Sequence, residues 1–245
     1  MNILVCISAV PDTTTKISFT DNNTKFNTDG VQFIINPYDE MALSKALELT
    51  EANGGEVTVI CVGDASTEPV IRKALAIGAH NAIRINTVAK DGLHVAKCIA
   101  QAISGKSFDI IFTGRESIDY NGGQVAGLLS SLLDVALINV VSKIEVSGNE
   151  VTAVRDIDGG RETVSCHMPC VISAQKDLCE VRIPNMRGIM MARSKPLEVI
   201  EPSEDYTLTA YNEYELPVSK QGVKMIDPAN AGELMDLLRT EKKFI

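Results

Sequence analysis

The chain has 245 residues, of which 23 are Lys or Arg and 32 are Asp or Glu, so its formal charge is −9. This acidic balance disfavours nucleic-acid binding, and a hydrophobic content of 45% excludes a disordered chain. No apolar run approaches the roughly 18 residues of a membrane span and the N-terminus lacks the charged region of a signal peptide, so we expect a soluble, cytoplasmic protein without membrane insertion.

The first half of the chain alternates strands and helices. Predicted strands are Asn2–Ile7, Glu56–Val62, Ala82–Ile85 and Phe108–Thr113. Predicted helices run from Pro37 to about Asn53 and over Glu68–Ile77, Gly92–Ser104 and Gln124–Leu133. Asn36 can cap the first helix, and Pro37 suits its first position. This alternation predicts a mostly parallel α/β sheet flanked by helices.

The remaining predicted elements add antiparallel strands and a tail. Lys16–Phe19 alternates like a short edge strand, followed by a turn at Asp21–Asn23. Later strands are predicted at Val140–Val146, Glu150–Asp156, Arg161–Val164 and Cys170–Ala174. The Pro-punctuated tail ends in a predicted helix near Asn230–Lys242. A long arm of this kind has no room for its own core, so we expect it to pack on something else.

Cysteines and histidines give no metal site. Six cysteines are too sparse for a disulfide scaffold, and Cys6 and Cys61 lie in apolar runs where thiols are normally buried. Cys166 and Cys170 are too far apart on an extended strand to bind one zinc ion without a bend. We therefore expect no bound metal.

Three segments lie where ligands bind an open parallel sheet, beyond the carboxyl ends of its strands. These segments are Ser8–Asp12, Val62–Ala65 and Gly114–Gln124. The third runs directly into a helix, and Gly122 and Gly123 allow backbone N–H groups to approach an anion. It either binds a nucleotide phosphate or simply starts the helix. Standard phosphate-loop motifs are missing from the sequence.

The sequence offers no catalytic constellation. His80, His94 and His167 have no neighbouring partner that would mark a general base, and Asp156 and Asp158 flank a Gly-Gly turn typical of a solvated hairpin. Nucleotide binding without an acid–base set favours a carrier or binding subunit over a hydrolase.

A basic stretch with interleaved methionines precedes the tail. Its charges are Arg182, Arg187, Arg193 and Lys195, and its apolar residues are Met186, Ile189, Met190 and Met191. This pattern is either solvated charge over a core segment or an adaptable protein-binding surface.

Five blocks make the sequence resemble the β subunit of electron-transfer flavoproteins. They are Val10-Pro11-Asp12-Thr13; Gly30 with Asn36-Pro37-Tyr38-Asp39-Glu40; Gly114-Arg115-Glu116-Ser117-Ile118-Asp119 with Gln124; Asp156-Ile157-Asp158-Gly159-Gly160 with Glu162-Thr163; and Arg187-Gly188-Ile189-Met190 with Ala192-Arg193. The resemblance covers essentially the whole chain and weakens in the tail. It implies the Rossmann-like sheet of the adenine-nucleotide α-hydrolase type.

The resemblance also implies cofactors and partners. In that family an α subunit carries most of the FAD site, and the β subunit holds AMP, or a second FAD in electron-bifurcating members. The expected partners are this α subunit and acyl-CoA or other flavin dehydrogenases. The chain would carry electrons without catalytic residues of its own.

Family motifs place the sites residue by residue. The implied nucleotide-binding residues are Cys6, Asn36, Pro37, Tyr38, Asp39, Val62, Thr113, Gly114, Arg115, Glu116, Ser117, Ile118, Asp119, Asn121, Gly122, Gly123, Gln124 and Val125. Thr13 and Tyr38 would face the flavin of the α subunit. Met186 would anchor a dehydrogenase, with Arg187, Ile189 and Asp156 also implied in docking.

The implied organisation has three parts: a nucleotide-binding α/β domain over residues 1–184, a partner-docking loop with a following strand over 185–200, and a C-terminal arm over 201–245 that packs on the α subunit.

Two departures from the family pattern leave both AMP and a second FAD open as the nucleotide of this chain. Ser8-Ala9 replaces the family's usual Lys-Gln, whereas Val125 resembles the FAD-binding members. A stand-alone nucleotide-binding module of the universal-stress type and an ATP-using enzyme of the same fold are the alternatives.

Overall fold

The computed structural model describes residues 1–202, 207–220 and 222–242. The strands are β1 Asn2–Cys6, β2 Ala9–Pro11, β3 Phe19–Thr20, β4 Lys25–Phe26, β5 Phe33–Ile35, β6 Glu56–Val62, β7 Asn81–Ile85, β8 Ile110–Gly114, β9 Ala136–Ser147, β10 Glu150–Ile157, β11 Gly160–His167, β12 Cys170–Ala174 and β13 Leu197–Ile200. The helices are α1 Pro37–Asn53, α2 Glu68–Ile77, α3 Gly92–Ala102, α4 Val125–Leu133, α5 Met186–Ala192 and α6 Ala231–Leu237.

Nine of these strands form one sheet in the order β11-β10-β9-β12-β8-β1-β6-β7-β13. Seven neighbouring strands, β9-β12-β8-β1-β6-β7-β13, run parallel to one another. Strands β10 and β11 extend the sheet from β9 with antiparallel pairing. The predicted α/β fold with added antiparallel strands is confirmed.

Two hydrophobic layers sandwich the parallel strands. Along β1, Ile3 and Val5 face α1 and α2, whereas Leu4 and Cys6 face α3 and α4. This alternation follows from the two-residue period of a strand. Because both faces are covered, the central strands are apolar throughout, which explains the continuous run in the sequence.

Several predicted boundaries need correction. The edge strand predicted at Lys16–Phe19 is instead the two-residue strand β3, paired with β4 around the predicted Asp21–Asn23 turn. Strand β9 begins at Ala136, four residues before the prediction, and Val140 within it has a positive φ of 61°. The expected docking loop contains a helix, α5.

The chain divides into two compact units. The first comprises residues 1–17 and 27–212 and contains the large sheet. The second comprises residues 18–26 and 213–245, of which the structure describes the β3–β4 hairpin, residues 213–220 and 222–242. Within this second unit, the rings of Phe19 and Tyr214 stack 4.9 Å apart. Helix α6 and the π-helical turn Leu238–Lys242 confirm the predicted terminal helix.

Within the described ranges, we find no helix with the length and apolar character needed to cross a bilayer.

Candidate functional site

The three predicted ligand segments meet at one edge of the sheet. They follow β8, β1 and β6, which are adjacent and parallel, so their carboxyl ends lie side by side. The strand order reverses between β1 and β8, since β6 and β7 continue on the other side of β1. A crevice at such a reversal is where open α/β sheets bind ligands.

A buried carboxylate joins the segments of this edge. Oδ2 of Asp39 accepts hydrogen bonds from the backbone N–H and the hydroxyl of Ser8, both at 2.8 Å. Its Oδ1 accepts from the N–H of Gly114 at 2.9 Å and from Nδ2 of Asn36 at 3.0 Å. We call Ser8, Asn36, Asp39 and Gly114 the Asp39 junction. It ties the end of β1 and the end of β8 to the start of α1.

Asn36 extends the junction into the predicted phosphate loop. Its Nδ2 also donates to the carbonyl of Glu116 at 2.8 Å, and its Oδ1 accepts from the N–H of Ile118 at 3.3 Å. Asn36 occupies the N-cap position of α1, as predicted, but its side chain makes no capping hydrogen bond to the helix in the described chain. The Asn36 amide is instead hydrogen-bonded to the loop after β8, 80 residues away in the sequence, and Pro37 at the first helical position has no N–H that needs a cap.

Gly114 is required by close packing within the junction. A Cβ at this position would lie 2.3 Å from Asp39 Oδ1 and 2.8 Å from Tyr38 Cβ. No side chain fits there without displacing the carboxylate. The glycine that ends the strand therefore reflects contact with α1.

Burial disfavours the charged form of Asp39, whose side chain is almost wholly inaccessible. Burial raises the pKa of Asp39 from 3.8 to about 6, and the hydrogen bonds from Ser8, Asn36 and Gly114 act in the opposite direction. Burial likewise raises the pKa of Cys61 to about 12 and raises that of Cys6. Both thiols are buried as predicted, and they stay protonated at neutral pH.

The loop after β8 is closed at its base and exposed at its tip. Ser117 and Gly122 form an isolated antiparallel bridge, with the N–H of Ser117 donating to the carbonyl of Gly122 at 3.1 Å. Gly122, Gly123 and Gln124 are exposed, and Gln124 provides no side-chain cap to α4 among the described residues. The side chain of Gln124 therefore leaves the first N–H groups of α4 uncapped, next to an exposed glycine pair, an arrangement that suits an anion.

The remaining nucleotide-site residues sit around this edge. Thr113 and Cys6 are buried at strand ends, Val62 is half-buried at the end of β6, and Asp119 and Asn121 are exposed in the loop. The Arg115 guanidinium lies over the Tyr38 ring, 5.4 Å from its centroid. Thr13, predicted to face a flavin, is exposed in the segment after β2.

Sequence reasoning missed a strap from the tail that lies beside this loop. Thr207 and Thr209 donate to Oδ2 of Asp91 at 2.6 and 2.8 Å, and the Tyr211 ring stacks on Tyr120 with centroids 4.9 Å apart. Asp91 also caps α3 by accepting from the N–H of His94, and the bond from Thr207 is the main cause of its lowered pKa. The α3 start abuts the α4 start, since a Cβ on Gly92 would lie 3.3 Å from Gln124 Cβ.

A second candidate surface surrounds α5. The side chains of Met186 and Met190 are 74% and 72% exposed, and those of Ile189 and Met191 are about half exposed. Ile183, which sequence reasoning missed, is 88% exposed just before the Pro184-Asn185 start of the helix; an aliphatic residue in a polar, Pro-flanked segment was the available signal. We call Ile183, Met186, Ile189, Met190 and Met191 the docking surface.

Asp156 lies away from this surface, on β10. It accepts from Arg161 Nε at 2.9 Å and from Gln175 Nε2 at 3.4 Å. The Oε1 atom of Gln175 in turn accepts from Arg115 at 3.4 Å. The structure therefore connects Asp156 to Arg115 rather than to α5, and its role in docking stays a prediction.

The described residues contain no group of three or more potential metal ligands.

Comparison with known proteins gives one consistent match. The model of the electron transfer flavoprotein domain family matches residues 23–205. The chain is 36% identical to the electron transfer flavoprotein subunit beta of Bacillus subtilis (strain 168), over the full length of both proteins. It is 34% identical to the protein of the same name from Syntrophomonas wolfei, over 93% of this chain and 90% of that protein. A human protein of that name is 30% identical, over 83% of this chain and 82% of its own length.

Proposed function

Since the chain belongs to the electron transfer flavoprotein family and is similar to its β subunits, we propose that it pairs with an α subunit. We further propose that it holds an adenine nucleotide and passes electrons from flavin dehydrogenases to an acceptor. The observation that carries the nucleotide part is the Asp39 junction. It ties the segments after β1 and β8 to the start of α1 at one sheet edge, beside the exposed glycine pair that precedes α4.

The residues of this edge fit the AMP portion of a nucleotide. Gly122, Gly123, Gln124 and Val125 would present backbone N–H groups to a phosphate, and the positive end of α4 would stabilise its charge. Cys6, Val62 and Thr113 would form the floor of the site at the strand ends. AMP and the AMP half of a second FAD share this chemistry, so the same residues serve a simple carrier and a bifurcating one.

Asn36 and Asp39 would act by positioning the site. Both side chains are buried, and their hydrogen bonds already hold Ser8, Gly114, Glu116 and Ile118. They would keep the loop in its binding shape and contact the nucleotide through neighbouring backbone. Pro37 and Tyr38 lie beside them at the start of α1, and Arg115 orients the Tyr38 ring.

A bound FAD, held mainly by the α subunit, would supply the reversible electron chemistry. Thr13 and Tyr38 would face that flavin from this chain. The tail supports an α-subunit contact because its described part exposes large apolar side chains. These side chains include Val218, Val223 and Met225, which are 91%, 82% and 85% exposed.

The docking surface would meet the dehydrogenase. Its exposed apolar side chains stand among the exposed Arg187 and Arg193. A small apolar contact with a basic rim gives fast, weak association, which repeated electron exchange requires.

A co-production experiment tests this function. The full chain would be produced with its α subunit, purified, and mixed anaerobically with an acyl-CoA dehydrogenase and its substrate while flavin absorbance is followed. We expect a yellow heterodimer whose flavin is reduced only when the dehydrogenase is present. A colourless chain that binds ATP alone would contradict the proposal and favour a stand-alone nucleotide-binding module.

A further inference from the structure

Helix α5 carries the proposed docking surface but buries little apolar surface against the rest of the chain. It has seven residues, and only Ala192 among them is buried. Helices this short are unstable alone, and the large apolar side chains of α5 point to solvent. Interactions other than its own apolar burial must therefore hold the helix in place.

Helix α2 supplies the first of these interactions through Arg72. Its Nη1 donates to the carbonyls of Ala192 and Lys195, at 3.0 and 2.9 Å. The Ala192 carbonyl is the last of α5 and has no partner within that helix. Glu68, one turn earlier in α2, accepts from the other two nitrogens of Arg72, at 3.2 and 3.1 Å. Glu68 thereby fixes the direction of the guanidinium.

Lys195 supplies the reverse interaction. Its Nζ donates to the carbonyls of Leu75 and Ala79, at 2.9 and 2.6 Å, at the C-terminal end of α2. A cation at this position also interacts favourably with the negative end of the helix. Each helix therefore receives its C-terminal cap from a cation belonging to the other segment.

The two helices approach closely enough to exclude a side chain between them. A Cβ on Gly188 would lie 2.3 Å from the carbonyl oxygen of Ala76. The N–H of Gly188 donates to Asn185 Oδ1 at 2.8 Å, which caps the start of α5. The backbone contact with α2 and the two reciprocal C-terminal caps, from Arg72 and Lys195, therefore hold α5 in place.

We infer that Arg72 and Lys195 are positioning residues that latch the docking helix α5 onto α2 by reciprocal capping. The inference rests on the proposed docking role of α5 for its functional consequence. The latch itself consists of hydrogen bonds within this chain. Its two halves hold the same helix contact, so losing either should loosen α5 and leave the nucleotide edge intact.

Hydrogen exchange tests the latch directly. Arg72→Met, Lys195→Met and the double variant would be compared with the wild type as full chains purified with the α subunit. Lys45→Met is the matched control, since it removes a Lys–Glu pair confined to α1. We expect the α5 amides to exchange about tenfold faster or more in each single variant, the size of effect given by one charge-assisted hydrogen bond.

The double variant gives a second criterion. Because both caps stabilise one contact, its effect should be smaller than the product of the single effects. Exchange of α5 within about twofold of the control in both single variants would overturn the latch. If Arg72→Met does not fold, Gly188→Ala breaks the same contact from the α5 side, and Arg72→Lys should restore part of the protection because it keeps the charge without the forked donors.

A kinetic measurement separates the latch from the docking role. With acyl-CoA dehydrogenase as the probe, a loosened α5 should raise the KM for the dehydrogenase and leave kcat and nucleotide content unchanged. Faster exchange of α5 together with a wild-type KM would uphold the latch and reject the docking role of the helix.

Discussion

Gly114 donates its backbone N–H to Asp39 Oδ1 at 2.9 Å, across 75 residues of chain. Gly114 ends β8, and Asp39 lies in the first turn of α1, so this bond joins the predicted phosphate loop to the helix beside it. The same carboxylate holds Ser8 at the end of β1. One buried side chain thus sets the relative positions of three segments that would surround a nucleotide.

Adding a methyl group at Gly114 should break this arrangement. Gly114→Ala places a Cβ 2.3 Å from Asp39 Oδ1, and such overpacking typically costs about 1–3 kcal/mol of stability. We expect a lower Tm together with loss of bound nucleotide. Gly127→Ala is the control, because its Cβ meets Leu137 at an ordinary 4.0 Å and alanine is favoured within a helix. Equal Tm values for the two variants would contradict the packing argument.

The raised pKa of Asp39 predicts a pH-dependent stability. Between the ordinary value of 3.8 and about 6, the folded chain binds a proton that the unfolded chain does not. This contribution is therefore gained as pH falls through 6 and lost as pH rises through it. Relative to Asp39→Asn, the wild type should gain about 1 kcal/mol, or about 2–4 °C in Tm, between about pH 7 and about pH 5. An unchanged difference in Tm between the two proteins would show that Asp39 does not titrate there.

The stack of Tyr211 on Tyr120 predicts a role for the strap in nucleotide retention. Tyr211→Ala removes a ring 4.9 Å from a loop residue and should speed nucleotide release severalfold by loosening residues 115–124. Tyr214→Ala is the matched control, since it removes an equally spaced stack on Phe19 in the other unit. Nucleotide release rates, measured by dilution into excess competing nucleotide, test this prediction. Equal rates for the two variants would exclude a role for the strap in nucleotide retention.

The docking surface predicts unequal effects of apolar truncations. Ile183→Ala and Met186→Ala each remove a highly exposed apolar side chain and should raise the KM for a dehydrogenase without changing flavin content. Val88→Ala removes an apolar side chain that is 63% exposed on the loop after β7 and should have no effect. If Ile183→Ala alone raises the KM, the anchor lies before the helix; if neither variant does, the docking proposal fails.

Local signals predicted the regular elements well. Strand β6 and helix α2 match the predicted bounds residue for residue, because an apolar run ends at Gly63 and a helix with Pro69 in its first turn ends at Gly78. Strand β9 was predicted too short because its first residues alternate poorly before the positive φ of Val140. Helix α5 was missed because it has only seven residues, Gly188 among them, and depends on Arg72, 120 residues away.

The residues of the candidate site could be predicted from the sequence, but the hydrogen bonds between them could not. Glycines before a helix predict a phosphate loop after β8, and the family blocks predict roles for Asn36 and Asp39 at the same edge. That these two side chains are buried and bonded to Ser8, Gly114 and Glu116 depends on contacts 31 to 80 residues apart. The strap was missed for the same reason, whereas Ile183 carried a local signal, an aliphatic residue in a polar, Pro-flanked segment.

The most direct test is the nucleotide content of the purified α–β heterodimer, measured by acid release and chromatography for the wild type and Gly114→Ala. We expect two adenine nucleotides per wild-type heterodimer: one FAD, plus either AMP or a second FAD that Gly114→Ala loses. One FAD and no second nucleotide in the wild type would contradict the claim that this chain binds a nucleotide at the Asp39 junction.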